Sequence, residues 1–181
     1  MAAIHSVCVY CGSQTGDRPE YVEAAHALGD AIADRGLRLV FGGGQVGIMG
    51  QIADRVLERG GEVIGVIPKS LMRVEIAHGG LTELHVTDDM HQRKALMAER
   101  SDAFVTLPGG IGTLEELFET WTWRQLGYHD KPLGLLNVAG YYDGLLSWLD
   151  EATEHGFVRG PCRTWLEVDV DPASLLTRLG A

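Results

Sequence analysis

Positive charge is scarce in this sequence. Lysine occurs three times, and 15 Lys and Arg face 25 Asp and Glu, for a net charge of −10. That balance lacks the cationic footprint of a nucleic-acid binder and argues against nucleic acid as a partner. A phosphate ligand would have to be held by helix N-termini and one or two placed cations, because the overall field repels anions. Cysteine is equally sparse: three cannot all pair within one chain, which favours a reducing compartment and a cytoplasmic location. Cys8 and Cys11 form a lone C-x-x-C with no second pair for zinc. They lie in and just after Val7-Cys8-Val9-Tyr10, a pattern of a buried strand, so packing is expected rather than redox chemistry. No run approaches the roughly 18 apolar residues of a membrane helix, and Met1–His5 has no basic stretch leading into an apolar core. Neither a membrane span nor a leader is expected. Internal repeats, low-complexity tracts and long linkers are missing as well.

What is there suits one globular domain over residues 1–181, with 45% hydrophobic and 22% charged residues. A chain of this length buries roughly 70% of its unfolded surface and needs no disulfide or metal staple. Strand candidates at Ser6–Tyr10, Leu37–Phe41, Glu62–Ile67, Glu83–Val86, Ala103–Leu107, Leu133–Asn137 and Trp165–Val168 alternate with helical patterns. The expected architecture is α/β, with a mainly parallel sheet of about seven strands. Asp17 can cap the first helix, Pro19 suits its first turn, and Gly36 follows Arg35 where a left-handed residue ends helices. Later helices close on Arg59-Gly60-Gly61 and run from Tyr142 to about His155 before Gly156. In such sheets ligands sit outside the carboxyl ends of the strands, where loops enter helices.

Two of those loops are rich in glycine. Gly42-Gly43-Gly44-Gln45-Val46-Gly47 contains a formal G-x-G-x-x-G, but it follows the second strand, and the next strand ends in Ile67-Pro68 rather than in a ribose-binding acid. A tight turn with close helix packing and a phosphate or ribose contact both remain open for it. The second loop, Pro108-Gly109-Gly110-Ile111-Gly112-Thr113-Leu114-Glu115-Glu116, lets the backbone approach a ligand and places Thr113 where a new helix exposes unpaired N–H groups, an anion cradle. No Gly-Lys-Ser/Thr follows, so it is not a Walker loop. At about 100° per residue, Thr113, Glu116, Thr120 and Trp123 share one helix face. Glu116 is expected to contact a part of the ligand other than a phosphate, whereas Glu115 and Glu119 suit the positive end of the helix dipole.

The segment Asp88-Asp89-Met90-His91-Gln92-Arg93-Lys94-Ala95-Leu96-Met97-Ala98 reads as a helix capped by Asp88 or Asp89, with both cations inside its apolar arc. A cation there is paired, meets an anionic ligand, or snorkels from the edge of the stripe. Arg93, with its planar fork, suits phosphate or carboxylate. His91, His129 and His155 lack metal-ligand spacing, and no metal site is expected. There is no Gly-x-Ser-x-Gly elbow for a serine hydrolase.

Together these residues resemble the LOG (Lonely Guy) family, the cytokinin riboside 5′-monophosphate phosphoribohydrolases formerly labelled lysine decarboxylases. The resemblance runs from Cys11-Gly12-Ser13 through Gly42-Gly43-Gly44 and Gly47-Ile48-Met49-Gly50. It continues through Met90-His91-Gln92-Arg93-Lys94, the P-G-G-x-G-T-x-x-E stretch ending at Glu116, and His129-Asp130-Lys131-Pro132 to Tyr141-Tyr142. It implies a single Rossmann-like, three-layer nucleotide-binding domain with Arg93 and Glu116 as catalytic residues. Glu75, Lys94, Gly110 to Glu116 (Ile111, Gly112, Thr113, Leu114 and Glu115 among them) and Thr122 are the implied nucleotide contacts. Gly12, Ser13, Gly43, Gly44 and Gly109, in the same quoted loops, complete the candidate set. Thr122 points away from Glu116 on the wheel, and a homodimer, which the resemblance implies, is one way it serves a site. Ile111 stands where many members carry Tyr.

The implied substrate is a nucleoside 5′-monophosphate of the AMP or isopentenyladenosine monophosphate type, cleaved at its N-glycosidic bond to free base and ribose 5-phosphate. A carboxylate stabilises the oxocarbenium-like state and orients or deprotonates water, and no metal or organic cofactor is needed. A non-catalytic nucleotide or molybdenum-cofactor carrier on the same scaffold is the alternative. Lysine decarboxylation fits poorly, since Lys69, Lys94 and Lys131 have no recognisable Schiff-base setting. The misplaced fingerprint likewise speaks against an NAD-dependent dehydrogenase.

Overall fold

A computed structural model describes residues 3–181; the leader expectation for Met1–His5 falls partly on Met1 and Ala2, outside the described residues. In chain order the elements are β1 (Ser6–Tyr10), α1 (Pro19–Asp34), β2 (Arg38–Phe41), α2 (Gly47–Glu58) and β3 (Val63–Pro68). A π-helical turn (Met72–Ile76) precedes β4 (Glu83–Thr87), α3 (Met90–Glu99), β5 (Ala103–Thr106), α4 (Ile111–Gln125) and β6 (Leu133–Leu136). The chain ends with α5 (Asp143–Glu154), α6 (Gly160–Thr164), β7 (Leu166–Asp169) and α7 (Pro172–Leu179). The strands form one sheet in the order β4-β3-β2-β1-β5-β6-β7, and every neighbouring pair is parallel. The α/β expectation with about seven strands holds, and the sheet is wholly rather than mainly parallel.

Both faces of the sheet are covered, which is why its central strands read as continuous apolar runs rather than alternating ones. Val7 and Val9 of β1 pack with α1, α2 and α7, while Cys8 and Tyr10 pack with α3, α4 and α5 on the other face. Each large apolar side chain withdrawn in this way contributes about 1.5–3 kcal/mol. All three cysteines are free and buried, as packing residues should be. Among the described residues no helix is long and apolar enough to cross a membrane.

Local chemistry explains where the elements begin and end. Gly36, Gly60 and Gly156 take positive φ just past α1, α2 and α5, as expected of left-handed terminators. The start of β2 differs at Leu37, whose N–H turns back to the Ile32 carbonyl (3.0 Å) and so finishes α1 instead of opening the strand. Trp165 likewise bonds back to Cys162 and closes α6. Asp17 does not cap α1: Arg18 occupies the N-cap, without a side-chain hydrogen bond, and Pro19 supplies the fixed φ of the first turn.

The chain winds outward from β1 to β4, then crosses back to lay β5 on the other side of β1. This reversal opens a crevice at the carboxyl ends of β1 and β5, the place where open α/β sheets bind ligands. The loops leaving these two strands meet there, with the Gly12 N–H donating to the Pro108 carbonyl at 3.1 Å.

Candidate active site

α3 delivers a buried arginine to the crevice. Asp89 caps the helix by accepting the Gln92 N–H at 2.8 Å, and one turn later Arg93 enters the protein, only 4% exposed. Its Nε donates to the Val66 carbonyl (3.1 Å), and Nη2 donates to the Gly42 carbonyl (2.9 Å) and to Glu75 Oε2 (3.3 Å). Among the described residues Nη1 meets only the Met90 sulfur, at 3.8 Å, which leaves strong donor capacity for a ligand oxygen. Gly42 is required here, because a β-carbon at that position would stand 2.1 Å from Nη2. Of the two roles left open for the first glycine loop, close packing is the one visible: it braces Arg93 from behind.

Glu75 comes from the π-helical turn, a form common at functional sites. Ile76 adopts a φ of 50°, a strained value for a branched residue. The turn is strapped to the glycine loop: Gln45 N–H donates to the Glu75 and Ile76 carbonyls (3.1 and 2.8 Å), and His78 N–H donates to the Gly43 carbonyl (2.9 Å). Burial raises the Glu75 carboxyl above its ordinary value, and Arg93 partly offsets this.

α4 begins at the end of the second glycine loop. Its first intrahelical bond runs from Leu114 N–H to the Gly110 carbonyl (3.2 Å), so the N–H groups of Ile111, Gly112 and Thr113 have no partner within the helix. Thr113 is buried, and its hydroxyl lies so close to Gly109 that a β-carbon there would be 2.1 Å away. Glu116 follows on the same face. Its residue surface is partly exposed, yet its carboxyl is hemmed in enough that burial raises its pKa to about 7. Arg93 opposes the shift, whereas the negative neighbours Glu115 and Glu75 add to it.

Arg93, Glu75, Glu116 and the start of α4 line one pocket of about 320 Å³. Of the expected residues, Ser13, Gly110, Ile111, Gly112, Thr113 and Glu115 line it too. Gly12 and Gly109 line an adjoining cleft of about 230 Å³ that shares Ser13 and Gly110 with the first. Lys94 is elsewhere. It is 6% exposed and turned toward α4, paired with Glu115 (2.5 Å) and Glu119 (2.9 Å). Burial lowers its pKa, but these two partners outweigh burial and raise it overall. Glu115 and Glu119 are thus counter-ions to Lys94 and not, as expected from sequence, acids at the positive end of the helix dipole, since the first turn of α4 holds no acidic residue. Leu114 packs into the core, Gly44 bridges to Ala77, and Gly43 lies against β3. Thr122 is exposed on the far side of α4. Cys11, expected from sequence only to pack, and Met49, Leu71 and Met90, to which sequence reasoning gave no role, add an apolar lining. The only signal for Met49 and Met90 was their place in the quoted motifs. Of the three histidines set aside, His129 bonds the Thr120 carbonyl (3.0 Å), while His91 and His155 are exposed. Among the described residues no group of three His, Cys, Asp or Glu converges as a metal site.

A family model described as "Possible lysine decarboxylase" matches residues 49–179. A cytokinin riboside 5′-monophosphate phosphoribohydrolase of Arabidopsis thaliana is 54% identical over 157 residues, covering 87% of this chain and 74% of its own. A probable cytokinin riboside 5′-monophosphate phosphoribohydrolase of Oryza sativa subsp. japonica is 54% identical over 157 residues, covering 87% of this chain and 70% of its own. The chain belongs to the LOG family. The solved molybdenum cofactor binding protein of Rippkaea orientalis shares the fold, with a TM-score of 0.73 and 22% identity over 97% of this chain and 94% of that one. The pocket offers a helix N-terminus for an anion, a guanidinium nitrogen facing only a sulfur, and a carboxylate that burial raises to about 7. This is equipment for hydrolysis at a carbon that becomes cationic.

Proposed function

We propose that this chain hydrolyses the N-glycosidic bond of cytokinin riboside 5′-monophosphates, N6-modified adenosine 5′-monophosphates, to free base and ribose 5-phosphate. The observation that carries the reading is the convergence of Arg93, Glu116 and the α4 N-terminus in one pocket, on a chain 54% identical to phosphoribohydrolases. In this scheme the 5′-phosphate sits on the N–H groups that open α4. The ribose lies over Glu116, whose ionised carboxylate takes a proton from water as the water oxygen bonds to C1′. The bond to the base breaks, and the base leaves with its electron pair and gains a proton. Arg93, held by three contacts, presents Nη1 to the reacting sugar or its phosphate. Glu75 contacts the nucleotide beside it. The reaction needs no metal or organic cofactor.

The same proposal includes a homodimer, a single nucleotide-binding domain over residues 1–181, and a cytoplasmic location. Exposed apolar side chains at Val74 (72%), Ile76 (55%) and Ile111 (91%) support an additional covering surface near the pocket. Three unpaired cysteines support a reducing compartment.

The test is chromatographic. Purified protein is incubated with AMP and, separately, with isopentenyladenosine 5′-monophosphate, with Glu116→Gln alongside. Release of free base by the wild type, lost in the variant while nucleotide binding persists, is the expected result. Binding without release by the wild type would replace the hydrolase with a nucleotide carrier.

A further inference from the structure

The Tyr141-Tyr142 pair lies outside the roles assigned above, yet it grips the loop that builds the anion cradle. Three consecutive carbonyl oxygens of that loop are each taken by a donor. The Tyr142 hydroxyl donates to Leu107 O (2.7 Å), the Gly12 N–H donates to Pro108 O (3.1 Å), and the Tyr141 hydroxyl donates to Gly109 O (2.7 Å). Immediately afterwards come the N–H groups of Ile111, Gly112 and Thr113, which α4 leaves without internal partners. A carbonyl dipole turned toward an anion repels it, and a loop flanking a phosphate site must aim its oxygens elsewhere while its N–H groups face the ligand.

The tyrosines are themselves delivered by a strained turn. Ala139 has a φ of 51°, which a residue with a side chain holds only where its surroundings enforce it, and Gly140 follows at 73°, open to glycine without strain. Asn137 holds the turn closed: its Oδ1 accepts the Tyr142 N–H (2.8 Å), and its Nδ2 donates to Asp143 (2.7 Å). The two rings pack edge to face with centroids 4.8 Å apart, and Tyr21 meets Tyr141 in the same way at 5.5 Å. Tyr142 is buried, whereas Tyr141 is 44% exposed and forms a wall of the cleft beside the catalytic pocket.

We infer that Tyr141 and Tyr142 are positioning residues of the phosphate cradle, orienting the Leu107–Gly109 backbone so that the α4 N-terminus faces the 5′-phosphate of the nucleotide. This rests on the nucleotide reading above. Tyr141 gives the sharper test, because phenylalanine keeps its ring contacts and removes only the hydroxyl. For Tyr141→Phe, the Kd for ribose 5-phosphate by calorimetry and the KM for isopentenyladenosine 5′-monophosphate both rise about fivefold, the equivalent of one hydrogen bond. Turnover stays within twofold and the melting temperature is unchanged. Tyr142→Phe shows the same loss of affinity with a lowered melting temperature, since it strands a buried carbonyl. Wild type that binds ribose 5-phosphate with an equally tight Tyr141→Phe protein would overturn the positioning role alone. Wild type that neither binds ribose 5-phosphate nor releases base from isopentenyladenosine 5′-monophosphate would overturn the nucleotide reading and this inference with it.

Discussion

Replacing Glu116 with glutamine should stabilise the protein, and by an amount that depends on pH. Burial raises the Glu116 carboxyl from its ordinary 4.5 to about 7 in the folded chain. Between these values the native state holds a proton that the unfolded state has released, so wild-type stability falls as pH rises. The cost is absent below pH 4.5 and complete above pH 7. At about 1.36 kcal/mol per tenfold change in proton affinity, the gap amounts to about 3 kcal/mol. Glutamine has nearly the same shape and no charge, so the variant escapes this cost at every pH. Urea denaturation followed by circular dichroism, run on both proteins from pH 4.5 to 8.5, should show curves that coincide at the acid end and separate by about 3 kcal/mol at the basic end. For a chain of this size that separation corresponds to about 6–12 °C in Tm. A difference that does not change with pH would mean that Glu116 ionises normally and that its surroundings impose no such cost.

The same titration has a kinetic face. If Glu116 acts ionised, kcat/KM for isopentenyladenosine 5′-monophosphate rises about tenfold per pH unit below 7 and levels off above it; a profile flat from pH 5 to 8 would remove it as the base. Gly42→Ala places a methyl where Arg93 Nη2 stands, and the displaced guanidinium should cost about 100-fold in kcat/KM in the chromatographic assay, with the fold kept by circular dichroism. Arg93→Ala removes the cation that favours ionised Glu116 and leaves Glu75 without its partner. It should impair both KM and kcat and move the acid limb of the pH profile to higher pH, which rate measurements across pH will show.

Much of the scaffold was legible because it is written in local chemistry. The buried run Ser6–Tyr10 defined β1 to the residue, and glycines at 36, 60 and 156 marked helix ends, since left-handed backbone favours the residue without a β-carbon. Where a boundary slipped, as at Leu37 and Trp165, a hydrogen bond back to the preceding helix decided it. The site was legible in part. The wheel placed Arg93 and Lys94 on one apolar arc, and both are buried. It could not show that Arg93 would find the carbonyls of Gly42 in the first glycine loop and Val66 in β3 while Lys94 found two carboxylates on α4. That division depends on the crossing of α3 over the sheet, which is a tertiary fact. The strap between Gln45 and the Glu75 turn, and the tyrosine grip on the second glycine loop, are long-range hydrogen bonds with no periodicity to betray them.

The reversal of strand order between β1 and β5 also determines when the pocket comes into being. Val7 pairs with Ala103, and closing so long a stretch of chain costs about 4 kcal/mol of entropy, beyond a constant, before the pairing returns anything. Contacts this distant in sequence slow folding. The β1–β4 half can assemble from neighbouring segments as it leaves the ribosome, but it carries only half of the crevice. The second glycine loop and α4 arrive after β5 and cannot face Gly12 until that strand is seated. Ligand binding therefore reports a seated β5 and α4 rather than the β1–β4 half alone, and a nucleotide present during synthesis would favour that pairing by mass action.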